Sequence, residues 1–221
     1  MDNRGGAAGT TFFSLSVILV LSLLLLSTAD YSLYSYKKKC IAGAIDFSVS
    51  AAAQENNIEL SRYGYSIGID ESAGTLSTDN IFIDETSAEN AFFSTLELNA
   101  GIKKSEVISN TMIIIVNPAT GSANYIIKNA TKRITGSVSE PADLEAVINT
   151  NTAQFWDAGQ PDKEIVYVNG NPKTNEFKKR PYYMVFIKNY EIDGLFKKRL
   201  ATFIAFKGAN IERKNGNGLE E

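Results

Sequence analysis

The chain has 221 residues, 44% hydrophobic and 21% charged, with a formal net charge of −3, the composition of a folded protein rather than a disordered one. It holds no His and 1 Cys, which excludes His/Cys zinc sites, His-dependent triads and intrachain disulfides. Charge is uneven, with 7 Lys/Arg against 17 Asp/Glu over residues 41–172 and 11 against 6 over 173–221, so an acidic middle can pair with a basic tail within or between subunits.

No charge lies between Arg4 and Asp30, a gap of about 25 residues, and a bilayer core needs roughly 20. The apolar run includes Phe12, Phe13, Leu15, Val17, Ile18, Leu19, Leu21, Leu24 and Leu26, the expected membrane-span residues. No Pro follows until Pro118, so the helix is predicted to continue from Ala7 to about Gln54. Three fates of this segment compete. Ser27-Thr28-Ala29 offers small residues for signal-peptide cleavage; Gly5, Gly6 or Gly9 offers a prepilin-type cut; and Tyr31, Tyr34 and Tyr36 read as the interfacial belt of a retained anchor.

Beyond the belt stand Lys37, Lys38, Lys39 and Cys40. By charge alone these lysines argue for a cytoplasmic bulk. Cys40, among positive charges, is a candidate for acylation or an intersubunit crosslink. Ile41, Ala44, Ile45, Val49 and Ala52 fall largely on one helix face among small residues. That face can pack against a neighbouring helix or against the chain's own domain, and the spacing does not choose between them.

Asn56-Asn57 ends this helix. Thr86-Ser-Ala-Glu89 reads as a capping box opening a helix with Ala88, Phe92, Phe93 and Leu96 inward, closing near Gly101. Thr111 to Val116 is predicted as a strand, Pro118 to Ser122 as a turn and Asn124 to Lys128 as a return strand. Ser139 and Pro141 start a short helix through about Ile148. Glu164 to Val168 is a strand, ended by the turn Asn169-Gly-Asn-Pro172. Arg180–Lys188 and Arg199–Lys207, joined by a turn over Glu191 to Phe196, are expected to form the central hairpin of the sheet.

Chemistry-bearing patterns are few. Asp70, Glu71, Asp79, Asp84 and Glu85 supply oxygens without the spacing of a calcium loop. The clusters Lys178-Lys179-Arg180 and Lys197-Lys198-Arg199, with Tyr182, Tyr183, Phe186 and Tyr190 nearby, sit in a chain too acidic overall for nucleic acid; they suit edge protection or an anionic surface. Asn129-Ala-Thr131 is a formal glycosylation sequon. No phosphate-binding glycine fingerprint is present. No catalytic residue, metal site or cofactor is therefore assigned, and no enzymatic role.

The short Gly-rich leader, the apolar helix, the Tyr/Lys exit and Ile41-Ala-Gly-Ala-Ile-Asp-Phe-Ser-Val-Ser-Ala-Ala-Ala-Gln54 resemble the TadE/TadG-like proteins. These are pilin-like components of bacterial tight-adherence (Flp-type) pilus systems. The resemblance covers about the first 55 residues. Phe82-Ile-Asp-Glu85, Ala91-Phe-Phe93, Arg180-Pro-Tyr-Tyr183 and Phe203 to Gly208 look like segments of uncharacterised relatives. The Glu that such pilins carry just inside the apolar helix is replaced by Ser14 if the chain is cut after Gly9.

The resemblance implies a single-pass cell-membrane protein with its C-terminal domain outside the cell. It would act as a minor pilin or pilus-assembly component, partnered by the membrane, by other pilin-like subunits or by a further copy through the N-terminal helix. The alternative is a membrane-tethered ligand-binding or sensor module unrelated to pili. The expected fold is α+β, with a membrane helix and shaft over 1–57, a mostly antiparallel β-rich domain with two short helices over 58–214, and a flexible tail over 215–221.

Overall fold

The computed structural model describes residues 4–55, 82–119, 121–140, 143–144, 146–148, 150 and 181–208. The predicted strand at Glu164 to Val168, its following turn, the first basic cluster and the tail lie outside them.

Helix α1 spans Arg4–Ala53 without interruption. Nothing in its sequence breaks it, because it contains no Pro and its apolar residues are helix-compatible. Helix α2 spans Glu85–Ala100, short α3 spans Lys104–Val107, and a 3₁₀ turn over Ile108–Asn110 leads into the sheet. The strands are β1 (Thr111–Ala119), β2 (Ser122–Lys128), β3 (Arg133–Val138), β4 (Tyr182–Asp193) and β5 (Lys198–Gly208). They form one antiparallel sheet in the order β3-β2-β1-β4-β5.

Strand β1 lies at the centre, so both its faces are covered and its sequence is a continuous apolar run instead of an alternating one. Ile113 and Ile115 face one cluster with Tyr183, Val185, Ile187, Phe203, α2 and the upper half of α1. Met112, Ile114 and Val116 face a second cluster with Tyr182, Met184, Phe186, Leu144 and Ile148. The last two belong to the predicted helix after Ser139, whose backbone closes by Leu144 N–H donating to the Glu140 carbonyl at 3.3 Å.

Several expectations are corrected. Among the described strands the hairpin β4–β5 is not central: β4 is interior, but β5 lies at the edge and β1 takes the middle. β4 continues through Asp193, which pushes the turn to Gly194–Lys197, closed by Gly194 N–H to the Lys197 carbonyl at 3.0 Å. The N-cap of α2 is Asp84, whose carboxylate accepts the Ser87 N–H at 2.7 Å. Thr86 is inside the helix, and Glu89 reaches Lys104 and Lys128 instead of back to a cap. An ionised carboxylate is the stronger acceptor for the exposed amides, so the helix starts two residues earlier. The other end follows expectation: Gly101, at φ 67°, terminates α2 in the left-handed region and donates to Glu97 at 2.8 Å.

Strand β3 has no counterpart among the predicted elements. Its core signal is weak because it is an edge strand with Gly136 in its middle. Tyr125, its cross-strand neighbour, lays its ring over the glycine where a Cβ would otherwise stand, an aromatic cover for a position with no side chain of its own.

Candidate functional site

The structure concentrates its informative features along α1. Every predicted span residue from Phe12 to Leu26 is exposed, from 41% at Val17 to 78% at Phe12. So many large apolar side chains left exposed along one helix need another apolar medium or partner. This is a long apolar helix of span length, and the only such helix among the described residues.

The helix changes character at Asp30, which is buried. One carboxylate oxygen accepts the backbone N–H groups of Leu195 (2.5 Å) and Phe196 (2.9 Å), and the other accepts from Arg199 Nη2 at 2.7 Å. The Arg199 guanidinium also lies over the rings of Tyr31 and Tyr34, at 5.4 and 5.2 Å, within cation–π range. Lys37 Nζ donates to the Asp193 carbonyl at 2.9 Å. The foot of the domain is thus clasped to α1 just above the apolar run.

Gly194 is required by this closeness, since a Cβ there would overlap the Asp30 carboxylate. A β-bulge between Ile187 and Tyr190, with Asn189 at φ 52°, makes the clasp reachable. The extra residue resets the two-residue alternation, so that Tyr190 and Ile192 still turn toward α1. On β5 the same face carries Arg199, Ala201, Phe203 and Ala205, two residues apart, which delivers Arg199 to Asp30.

Higher on α1, Ala44, Ile45, Val49 and Ala52 are buried in the domain's own core, and Ile41 is half-buried at its margin. This chain therefore occupies the face that was open to two readings. Ser48, in the same stripe, is fully buried but satisfied, its hydroxyl donating to the Ala44 carbonyl at 2.7 Å. The opposite face is open: Tyr36, Cys40, Gly43 and Phe47 lie at helical spacing and all are exposed.

A cleft of about 460 Å³ opens between α2, α3 and the β2–β3 turn. Its wall is a chain of alternating charges. Arg133 grips Glu85 through Nη2 (2.8 Å) and Nε (3.1 Å), and Lys128 bridges Glu85 (2.8 Å) to Glu89, which also takes Lys104 at 2.6 Å. The Arg133 hydrogen bond holds the Glu85 carboxyl below its ordinary 4.5. Burial works to raise Glu89, but hydrogen bonds from Lys104 and Lys128 outweigh it and hold that carboxyl low as well. Burial opposes the charge of Lys128 too, and its two carboxylates raise it above 10.5. Each carboxylate is shared between two cations, so the cleft is built for cohesion. Asn129 spends its side chain on the turn, accepting from the Thr131 and Lys132 N–H groups at 3.0 and 2.7 Å.

The acidic positions divide. Asp84 caps α2 and Glu85 is ion-paired, while Asp70, Glu71 and Asp79 lie outside the described residues. Among the described residues no three potential ligands converge on a metal position. Tyr182, Tyr183 and Phe186 are buried in the sheet and so cannot stack on bases. In the cluster at the hairpin tip, Arg199 is committed to Asp30, and Lys198 lies 3.2 Å from Glu191 and 3.7 Å from Asp193.

Sequence reasoning missed Asp30 as an organising residue. The available signal was a carboxylate directly after the apolar run, facing a basic triplet more than 160 residues away, and no local pattern links the two. No protein-family model, curated protein or solved structure matches the chain.

Proposed function

We propose that the protein is a single-pass surface protein of the bacterial cell membrane, acting as a minor pilin or pilus-assembly component with its folded domain outside the cell. The observation that carries this reading is the dual use of α1. Its lower half is an exposed apolar rod, and its upper half is part of the domain's core. The two halves are continuous through Ser27-Thr28-Ala29, which supports a retained anchor rather than a removed signal. Such a rod presents a rigid domain at a set height above a bilayer, the arrangement a subunit needs when it packs through its helix. The face left for packing with other subunits is Tyr36, Cys40, Gly43 and Phe47, since the Ile45 face is taken.

The second reading, a membrane-tethered ligand-binding or sensor module, rests on the cleft beside Glu85 and Glu89. Oxidative crosslinking of membranes through Cys40 separates the two. Assembly predicts disulfide dimers that are suppressed by Gly43→Leu, a substitution whose Cβ enters open space. A strictly monomeric product favours the tether, and recovery of the chain in the soluble cytoplasmic fraction would end both readings.

A further inference from the structure

We infer that the β4–β5 tip, Leu195 and Phe196, is a second membrane contact, seated in the interfacial layer of the same bilayer that α1 crosses; the inference rests on the anchored reading of α1. Three observations meet at this point.

The first is reach. β1 pairs with β4 only as far as Ile187, so beyond that residue β4 and β5 continue as a two-stranded ribbon to Asp193 and Lys198. At about 3.3 Å per residue this extension is roughly 20 Å long. It runs down the side of α1, kept in contact by the bulge at Asn189, and ends at Asp30.

The second is level. Asp30 is four residues above Leu26, which at 1.5 Å per residue is about 6 Å along the helix. The layer between hydrocarbon and bulk water is about 5–8 Å thick on each side of a bilayer. A tip bonded to Asp30 therefore falls within that layer whenever the apolar run fills the hydrocarbon.

The third is chemistry. The Leu195 and Phe196 amides are spent on Asp30, yet their side chains stay 54% and 70% exposed. Turn positions favour Gly, Asn, Asp or Ser, and two large apolar residues at such a tip cost solvation in water. Lys197 and Lys198 follow them, Lys198 being paired with the exposed Glu191 and Asp193, and the exposed Tyr31 stands beside the clasp. Apolar residues with lysines and tyrosine at their rim make up the composition of an interfacial anchor. With α1 as one leg and the ribbon as the other, the domain stands on the membrane in one orientation and does not swivel about the helix.

The test uses the full chain with Cys40→Ser, reconstituted into vesicles of phosphatidylcholine and phosphatidylglycerol. Nitroxide labels are placed one at a time at Phe196→Cys, at Leu19→Cys within the apolar run and at Leu98→Cys, an 85% exposed site on α2. Collision rates with oxygen, which concentrates in lipid, are compared with those of a water-soluble nickel chelate. The expected result is an oxygen-to-nickel ratio several-fold higher at Phe196 than at Leu98 and below that at Leu19.

A ratio at Phe196 equal to that at Leu98, with Leu19 in hydrocarbon, overturns the inference and leaves the anchor standing. Shielding from both reagents at Phe196 also overturns it, in favour of contact with a second copy. An aqueous label at Leu19 overturns the anchor and the inference together. A label at Leu195→Cys repeats the measurement if Phe196→Cys disturbs the turn.

Discussion

Tyr183 shows how a single group can run against the packing around it. Its ring is fully buried, 6.1 Å from Phe92, but its hydroxyl is buried without a hydrogen-bond partner among the described residues. Burial pushes the phenol well above its usual 10, and the carboxylates of Glu89 and Glu85 add to the shift. A buried hydroxyl without a partner loses its water hydrogen bonds and gains nothing in return, a cost of about 1–3 kcal/mol. Tyr183→Phe is therefore expected to leave the fold intact and to raise the unfolding free energy by about 1 kcal/mol. Chemical denaturation of the full chain in detergent micelles measures this, and a clear loss of stability would mean that the hydroxyl does have a partner. The opposite case is Asp30, whose three hydrogen bonds leave a buried carboxylate well satisfied.

At the scale of elements, the inward face of α2 was legible and its cap was not. The inward residues Ala88, Phe92, Phe93 and Leu96 were read from their spacing, and all four are buried. Each large apolar side chain so placed contributes about 1.5–3 kcal/mol. The cap depends on a competition between two nearby acceptors, Asp84 and Thr86, which the spacing to Glu89 does not decide. Two substitutions separate them. Asp84→Ala is expected to cost about 1 kcal/mol, whereas Thr86→Ala should stay within about 0.5 kcal/mol. The reverse order in thermal melts would restore the Thr86 capping box. β3 was illegible for a related reason: an edge strand half open to water, with a glycine covered by Tyr125, carries little apolar alternation to read.

At the scale of the whole molecule, charge joins pieces that are far apart in the chain. The network of Arg133, Glu85, Lys128, Glu89 and Lys104 binds α2 and α3 to the sheet, and its protonation sets a pH window for stability. Glu85 and Glu89 are held below their ordinary 4.5. Their contribution is fully present above that value and is lost as the pH falls through the lowered folded-state values. Lys128 is held above 10.5, so its contribution is fully present below that value and fades as the pH rises through the raised one. Lys128→Met leaves the two carboxylates facing each other without the shared cation. It is expected to cost about 1–2 kcal/mol at neutral pH, discounted for the network's partial exposure. It should also flatten the acid limb of the stability profile, and an unchanged limb in urea titrations across pH would show that the network contributes nothing.

The sequence by itself determined the long apolar helix, the identity of most elements, the inward face of α2 and the small-residue stripe of α1. These follow from local periodicity, from the absence of Pro before residue 118 and from charge placement, all of which act over a few residues. Only the tertiary structure decided what the small-residue stripe packs against, which strand is central and where the hairpin tip comes to rest. Those outcomes depend on contacts between residues such as Asp30 and Arg199, 169 positions apart. Such a pairing is selected by the fit of whole faces, including a bulge that re-aims a strand, and no nearest-neighbour pattern in the chain encodes it.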